Sequence, residues 1–334
     1  MVEVILQNKK NVVCLQKNAE DMTHAELKER QGWSLEKKID HSLGAIEQFY
    51  ETLDGKVYVG FSGGKDSTVL LWLARKLYPD IKAVFVNTGN EYPDIVRFVR
   101  KKKEEGANID IIYPKLKPRE VMSKYGFPLV SKETSQRVRS VRYNPNSVKS
   151  MLALGTLPPE LRAKYTMDRK LAERWKWLID EQFNTSDMCC DKLKKEPAHY
   201  YQKETGRAPI LGIMADESRS RKLAYLSRGG CNIFSDKGLN SSHPLSIWTE
   251  QDIWDCIEKY DIEIADIYRK GADRTGCMFC GYGCQFADDN RLKLVYDLYP
   301  KAYEMFMNYE NNGVKYRDAL RKVLNVNKLK LPDE

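Results

Sequence analysis

No apolar run in this chain approaches the ~20 residues that a membrane-spanning helix needs, so a helical membrane protein is excluded. The first ten residues, Met-Val-Glu-Val-Ile-Leu-Gln-Asn-Lys-Lys, lack a basic region followed by a long apolar one and a small-residue cleavage site. A secretory leader is therefore not expected, and a cytoplasmic location is. In that reducing compartment eight cysteines do not make a disulfide scaffold, and their uneven placement points to metal or redox chemistry. Acidic residues are scarce in one stretch. Residues 115–176 hold 15 Lys+Arg against 5 Asp+Glu, a charge of +10 in a chain whose net charge is +8. A positive segment this concentrated suggests a polyanionic partner more than an evenly basic surface would. The 334 residues, 42% hydrophobic and 31% charged, suit one large domain with additions, or two domains.

Lys56-Val-Tyr-Val-Gly-Phe61 alternates Val57, Val59 and Phe61 with Lys56, Tyr58 and Gly60, as a half-buried strand does. Ser62-Gly-Gly-Lys-Asp-Ser67 follows, and Thr68–Leu77 then reads as an apolar helix. A strand that bends at glycines into a helix aims several backbone N–H groups, and the positive end of the helix dipole, at one point suited to phosphate. Gly63 and Gly64 let the main chain approach a ligand, Ser62 and Ser67 add hydroxyl donors, and Lys65 adds a point charge. The blander alternative is a strand–turn–helix junction in which small residues merely permit the bend. The Walker spacing is absent.

Lys82–Asn87 and Ile109–Tyr113 read as further strands, with Thr88–Pro93 leading into a helix between them. Ser34–Leu53 has a helical apolar stripe and precedes the first strand. Strand character returns at Ala208–Met214. Strands alternating with helices imply a parallel sheet whose ligands sit beyond the strand carboxyl ends. Residues 115–185 interrupt that pattern: they are basic, with Arg137, Arg139 and Arg142, and include a helix containing Trp175 and Trp177. The boundaries expected are an N-terminal extension at 1–33, a nucleotide-binding half at 34–114, a basic and mostly helical insertion at 115–185, the remaining sheet at 186–255, and a helical cysteine-containing region at 256–334.

Five of the eight cysteines lie in two tight groups, Cys189-Cys190 and Cys277-Met-Phe-Cys280-Gly-Tyr-Gly-Cys284. Cys-x-x-Cys lets two thiolates reach one metal or cluster, and four thiolates are the usual complement of an iron–sulfur cluster or a structural Zn²⁺. Plain core cysteines and a disulfide are the competing readings. Cys14, Cys231 and Cys256 are isolated and read as packing or surface residues.

Ser-Gly-Gly-Lys-Asp-Ser resembles the pyrophosphate loop (PP-loop) of the adenine nucleotide α-hydrolases, which split ATP between its α and β phosphates. Gly212-x-x-x-Asp216-Glu217-Ser218-x-x-Arg221 and His243-Pro-Leu-Ser-Ile-Trp-Thr-Glu-Gln-Asp-Ile-Trp254 resemble segments of the phosphoadenosine-phosphosulfate (PAPS) reductase family within that superfamily. The tandem Cys-Cys with a distant Cys-x-x-Cys resembles the 4Fe–4S arrangement of assimilatory adenylylsulfate reductases. The resemblance spans roughly residues 40–300. It implies an α/β fold with a parallel five-stranded Rossmann-like (HUP) sheet flanked by helices.

For the site, the resemblance implies pyrophosphate at Ser62–Ser67, Mg²⁺ at Asp66, and adenosine contacts from Asn87, Thr88 and Glu91. It further implies substrate contacts from Asp216, Glu217 and Ser218, and Lys65, Asp66 and Arg221 as the catalytic groups. Cluster ligands would be Cys189, Cys190, Cys277 and Cys280, with Cys284 as a substitute. Two departures matter: no cysteine follows Cys284, where sulfonucleotide reductases carry their nucleophile, and the loop is intact, where theirs tends to be degenerate. An ATP-dependent, adenylating sulfurtransferase is the expectation, with a nucleic acid or a nucleic-acid-bound partner at residues 115–176. A sulfur-donor protein and a second copy of the chain complete the expected partners. A sulfonucleotide reductase and a metal-stabilised nucleic-acid-binding module without catalysis are the alternatives.

Overall fold

The computed structural model describes residues 22–162, 170–235 and 240–334. Cys14, most of the N-terminal extension and part of the basic segment lie outside the described residues. The chain forms two compact units. The first comprises residues 1–86, 93–112 and 198–268, and the second residues 87–92, 113–197 and 269–334.

The first unit is built on a six-stranded sheet. Its strands are β1 (Val57–Gly60), β2 (Ala83–Val86), β3 (Ile109–Ile112), β4 (Ala208–Leu211), β5 (Asn232–Ile233) and β6 (Ser241–Ser242). Their order is β3-β2-β1-β4-β6-β5. Five run parallel, and β5 pairs antiparallel with β6 at the edge, one strand more than the five expected. β1 lies centrally, with Val59 opposite Ala83 on one side and Ile210 on the other.

The alternation read in β1 is not a half-buried pattern. Val57, Tyr58 and Val59 are all buried, because helices cover both faces of a parallel sheet. Tyr58 reaches its place there by accepting a hydrogen bond at its hydroxyl from Gln202 Nε2, 2.9 Å away. Helix α1 (Leu35–Thr52), capped by Ser34, packs Ile39, Ala45, Ile46 and Phe49 inward. It also buries Lys38, whose ammonium bonds Asp252 and the Gln31 carbonyl, both at 2.6 Å. Helix α2 (Lys65–Leu77) starts five residues after β1 and buries Val69, Leu70, Leu73 and Ala74. Helices α3 (Pro93–Glu104), α4 (Arg219–Arg228) and α5 (Glu250–Lys259) also belong to this unit.

The second unit has no large sheet among its described residues. Helices Pro118–Tyr125, Lys132–Tyr143 and Val148–Leu154 join helices Arg291–Leu298, Pro300–Met307 and Tyr316–Val326. Phe127, Phe183, Phe279, Phe306 and Tyr316 form its aromatic core. The helix expected to contain Trp175 and Trp177 is Glu173–Ile179, and it is of the 3₁₀ type. A two-residue parallel ladder joins Leu129–Val130 to Gly281–Tyr282 and holds the Cys-x-x-Cys segment against this unit. Gly281 is required there, since a Cβ would stand 2.5 Å from the Pro128 carbonyl oxygen.

Candidate functional site

In the first unit the glycine bend opens directly into α2. Gly64 is the N-cap and brings no side chain to the helix amides. Gly63 has φ +73°, and a Cβ on it would meet Ile95 at 2.8 Å and Val99 at 2.9 Å, so both conformation and space demand glycine. Ser67 Oγ donates to the Gly64 carbonyl at 2.9 Å, accepts from the Ser62 amide at 3.1 Å, and lies 3.0 Å from Ser62 Oγ. The two serines thus tie the bend shut.

Lys65 is only 4% exposed, and its ammonium lies 3.3 Å from Asp66 and 3.1 Å from Glu250 on α5. Burial pulls the Lys65 ammonium down, but Asp66, Glu250 and Tyr268 outweigh it and the net shift is upward, so the lysine is a fixed cation. Burial pushes the Asp66 carboxyl up against the pull of Lys65, with Glu217 and Glu250 adding to the rise. Asp66, Glu217 and Glu250 therefore share one electrostatic neighbourhood. Glu217 accepts from the Met214 amide at 2.9 Å and pairs with Arg221, while Ser218 caps α4. Asp216 is exposed beside them.

Sequence spacing did not single out two participants here. Glu250 reads as an ordinary acidic residue in a helix's first turn. Tyr268 sits in a 3₁₀ turn 203 residues from Lys65 and accepts, at its hydroxyl, the Lys65 backbone N–H at 2.8 Å. That amide is one of those a helix N-terminus offers an anion.

The second unit holds the two cysteine groups. Cys189, Cys190, Cys277 and Cys280 line one cavity, together with Asn90, Lys194 and Tyr282. Cys280 N donates to the Cys277 carbonyl at 3.2 Å, the turn that Cys-x-x-Cys requires. A π-helical turn, Asp191–Lys195, follows the Cys-Cys pair and carries Lys194, and such bulges are frequent at functional sites. Cys284 is not on this cavity wall; its thiol donates to the Gly281 carbonyl at 3.1 Å. Arg291 clamps the same loop through Asp289 and the Tyr282 carbonyl.

Burial raises the Cys189 and Cys277 thiols, and it pushes Cys280 up to about 12. Lys194 opposes the rise at Cys277, and its own ammonium is held charged first by Cys277 and also by Glu91. With three of its thiols resisting ionisation, this group of four cysteines forms a donor set for a cationic centre, which supplies the charge their thiolates need. Among the described residues, no three His, Cys, Asp or Glu side chains converge on a point as a single ion requires. Tetrahedral Zn–S bonds of ~2.3 Å would draw four sulfurs to one centre. Four cysteines are equally the usual ligand complement of an iron–sulfur cluster, so the donor set suits either.

The segment 87–92 belongs to this second unit. Asn87 Oδ1 accepts from the Gly89 amide at 3.1 Å, and Glu91 accepts from Thr88 N and Thr88 Oγ1 at 2.9 and 2.7 Å. The three residues are thus engaged in the local turn, and Glu91 also faces Lys194. Three arginines of the basic stretch are engaged as well. Arg139 pairs with buried Asp187 at 2.7 Å, Arg142 bonds the Phe183 carbonyl at 2.6 Å, and Arg137 bonds Glu133 and the Lys170 carbonyl. Arg139 and Arg142 thereby tie their helix to the segment leading to Cys189.

A parallel α/β unit with a glycine-bound helix N-terminus, and a second unit with four cysteines on one cavity, define the class of this molecule. A sequence model of the phosphoadenosine phosphosulfate reductase domain family matches residues 56–151 and 132–282, and the chain belongs to that family. An uncharacterized protein of Methanocaldococcus jannaschii is 28% identical over 280 residues, covering 82% of this chain and 53% of that one. The chain thus spans about half the length of that relative. An adenosine 5'-phosphosulfate reductase of Halalkalibacterium halodurans is 25% identical over 262 residues, covering 77% of this chain and 87% of that one. The crystal structure of a PAPS reductase from Candida auris, a phosphate complex, superposes with TM-score 0.42 at 13% identity over 78% of this chain and 97% of that one. Among the described residues, no helix is long and apolar enough to cross a membrane.

Proposed function

We propose that the chain is an ATP-dependent, adenylating sulfurtransferase-type enzyme that carries a 4Fe–4S cluster. The observation that carries this reading is the gathering of Cys189, Cys190, Cys277 and Cys280 round one cavity, in a chain whose Ser62–Ser67 loop is complete. Lys65, the free-standing N-cap and the α2 amides would hold the two phosphates that leave, with Asp66 as the Mg²⁺ ligand. Catalysis at such a loop is positioning plus stabilisation of charge on the departing pyrophosphate. Arg221, with Asp216, Glu217 and Ser218 ahead of it, would face the activated substrate. Bound by the four cysteines, the cluster would supply a site for sulfur. Lys194 holds positive charge against that site at Cys277.

A sulfonucleotide reductase is the second reading, supported by the adenosine 5'-phosphosulfate reductase relative, most of whose length this chain covers. The two part on products. Incubated with labelled ATP and Mg²⁺, the protein should release pyrophosphate and AMP. With adenylylsulfate or PAPS and a thiol reductant, it should release no sulfite. Sulfite formation without pyrophosphate release would reverse the order of the two readings. Anaerobic purification should give a brown protein with about four irons per chain.

A further inference from the structure

Asn90 is 1% exposed and forms part of the cysteine cavity's wall. Its carbonyl accepts the Met278 amide at 2.8 Å, and its own amide donates to Thr88 Oγ1 at 3.1 Å. Met278 lies between Cys277 and Cys280, so the main chain pins Asn90 to the Cys-x-x-Cys turn itself. The side chain is less well served: its Oδ1 is buried with no hydrogen-bond partner among the described residues. A buried amide oxygen left in that state is destabilising, because it has lost its water and gained no donor. Native interiors rarely tolerate this without a ligand or a function to account for it.

The carboxamide is nearly symmetric in shape. A half-turn about its terminal bond exchanges the oxygen for an NH₂ group with two donors. Which end faces the cavity is therefore decided by what the cavity holds. Thiolates and inorganic sulfides are acceptors, and against them the oxygen is repelled and the NH₂ attracted. We propose that Asn90 turns its NH₂ group toward the cysteine cavity and donates a hydrogen bond to a sulfur of the cluster. This rests on the cluster reading given above. Asn90 is then a positioning residue: it stabilises the more negative, reduced form of the cluster and slows loss of iron, because hydrogen bonds to the sulfurs are among the determinants of cluster potential.

The test uses the full chain, reconstituted anaerobically with iron and sulfide, as wild type, Asn90→Leu and Asn90→Asp. Wild type and Asn90→Leu should load equal iron. The Leu variant should show a midpoint potential shifted to more negative values and faster bleaching by a chelator. Asn90→Asp, an acceptor only at neutral pH, should shift the potential further the same way. Coincident potentials for wild type and Asn90→Leu would overturn the assignment. Should the Leu variant fail to load, wild-type protein with ¹⁵N-labelled asparagine decides. Pulsed EPR of its reduced cluster should detect one side-chain nitrogen, and absence of that coupling overturns the assignment. Wild-type protein that stays colourless, with zinc in place of iron, overturns the cluster reading and this assignment together.

Discussion

Lys65 shows how much a single residue's meaning depends on its surroundings. In sequence it is one lysine among 55 Lys+Arg; in the fold it is buried at a helix start between Asp66 and Glu250. A cation held that rigidly needs little reorganisation when an anion arrives. Replacing Lys65 by Ala should lower pyrophosphate release from ATP by about 10²–10³-fold, the range for removing one preorganised electrostatic partner, with the far-UV spectrum unchanged. Tyr268 belongs at the same scale. Its hydroxyl occupies the Lys65 amide, so an incoming phosphate oxygen must displace it. Tyr268→Phe should tighten the binding of inorganic pyrophosphate severalfold, about the worth of one hydrogen bond no longer broken, as read by calorimetry. The lysine was legible from the glycine bend. The tyrosine was not, because no local pattern connects positions 203 residues apart.

Elements decide what those residues meet. The ladder between Leu129–Val130 and Gly281–Tyr282 is two residues long, yet it brings the Cys-x-x-Cys turn to Pro128. Gly281→Ala should destabilise the protein by about 1–3 kcal/mol and reduce iron loading, because the new methyl group would meet a backbone oxygen that cannot yield. Urea unfolding and iron analysis check this.

His243, just after β6, offers a pH test of the sheet's edge. Arg228 Nη1 lies 2.7 Å from His243 Nδ1, and arginine can only donate, so Nδ1 accepts and the ring is neutral. Burial first, then Arg228 and Arg221, depress its pKa to about 4. The native state therefore binds fewer protons than the unfolded one between that value and the ordinary ~6.5, and stability is lost as pH falls through this window. The loss should amount to roughly 3 kcal/mol across it, and His243→Asn should show a shallower fall in melting temperature between pH 6.5 and 4.

At the scale of the whole molecule, each unit has its own core, and the proposed chemistry is divided between them: anion loop in one, cysteine cavity in the other. A bound cluster stabilises only the state that binds it, so its free energy counts toward the second unit's folding. Stripping the iron by oxygen and chelator should reduce amide protection in hydrogen exchange at residues 188–195 and 277–284. The β1–α2 segment of the first unit should keep its protection. Equal loss in both segments would contradict that division. Arg137, Arg139 and Arg142, whose charge suggested a polyanion, are bonded within the second unit.

The amino-acid sequence by itself determined the elements whose cause is local. Glycines at 63 and 64 permit the bend, alternation of apolar strands and helices dictates the parallel sheet, and two residues between Cys277 and Cys280 close a turn. Only the tertiary structure decided which distant groups share a site. Tyr268 and Glu250 meet Lys65, Asn90 meets the cysteines, Cys284 turns away to a carbonyl, and three arginines are spent on the scaffold. The physical reason is range. Backbone conformation answers to neighbours a few residues away, whereas burial, pairing of charge and the satisfaction of a polar atom answer to whatever the fold brings near.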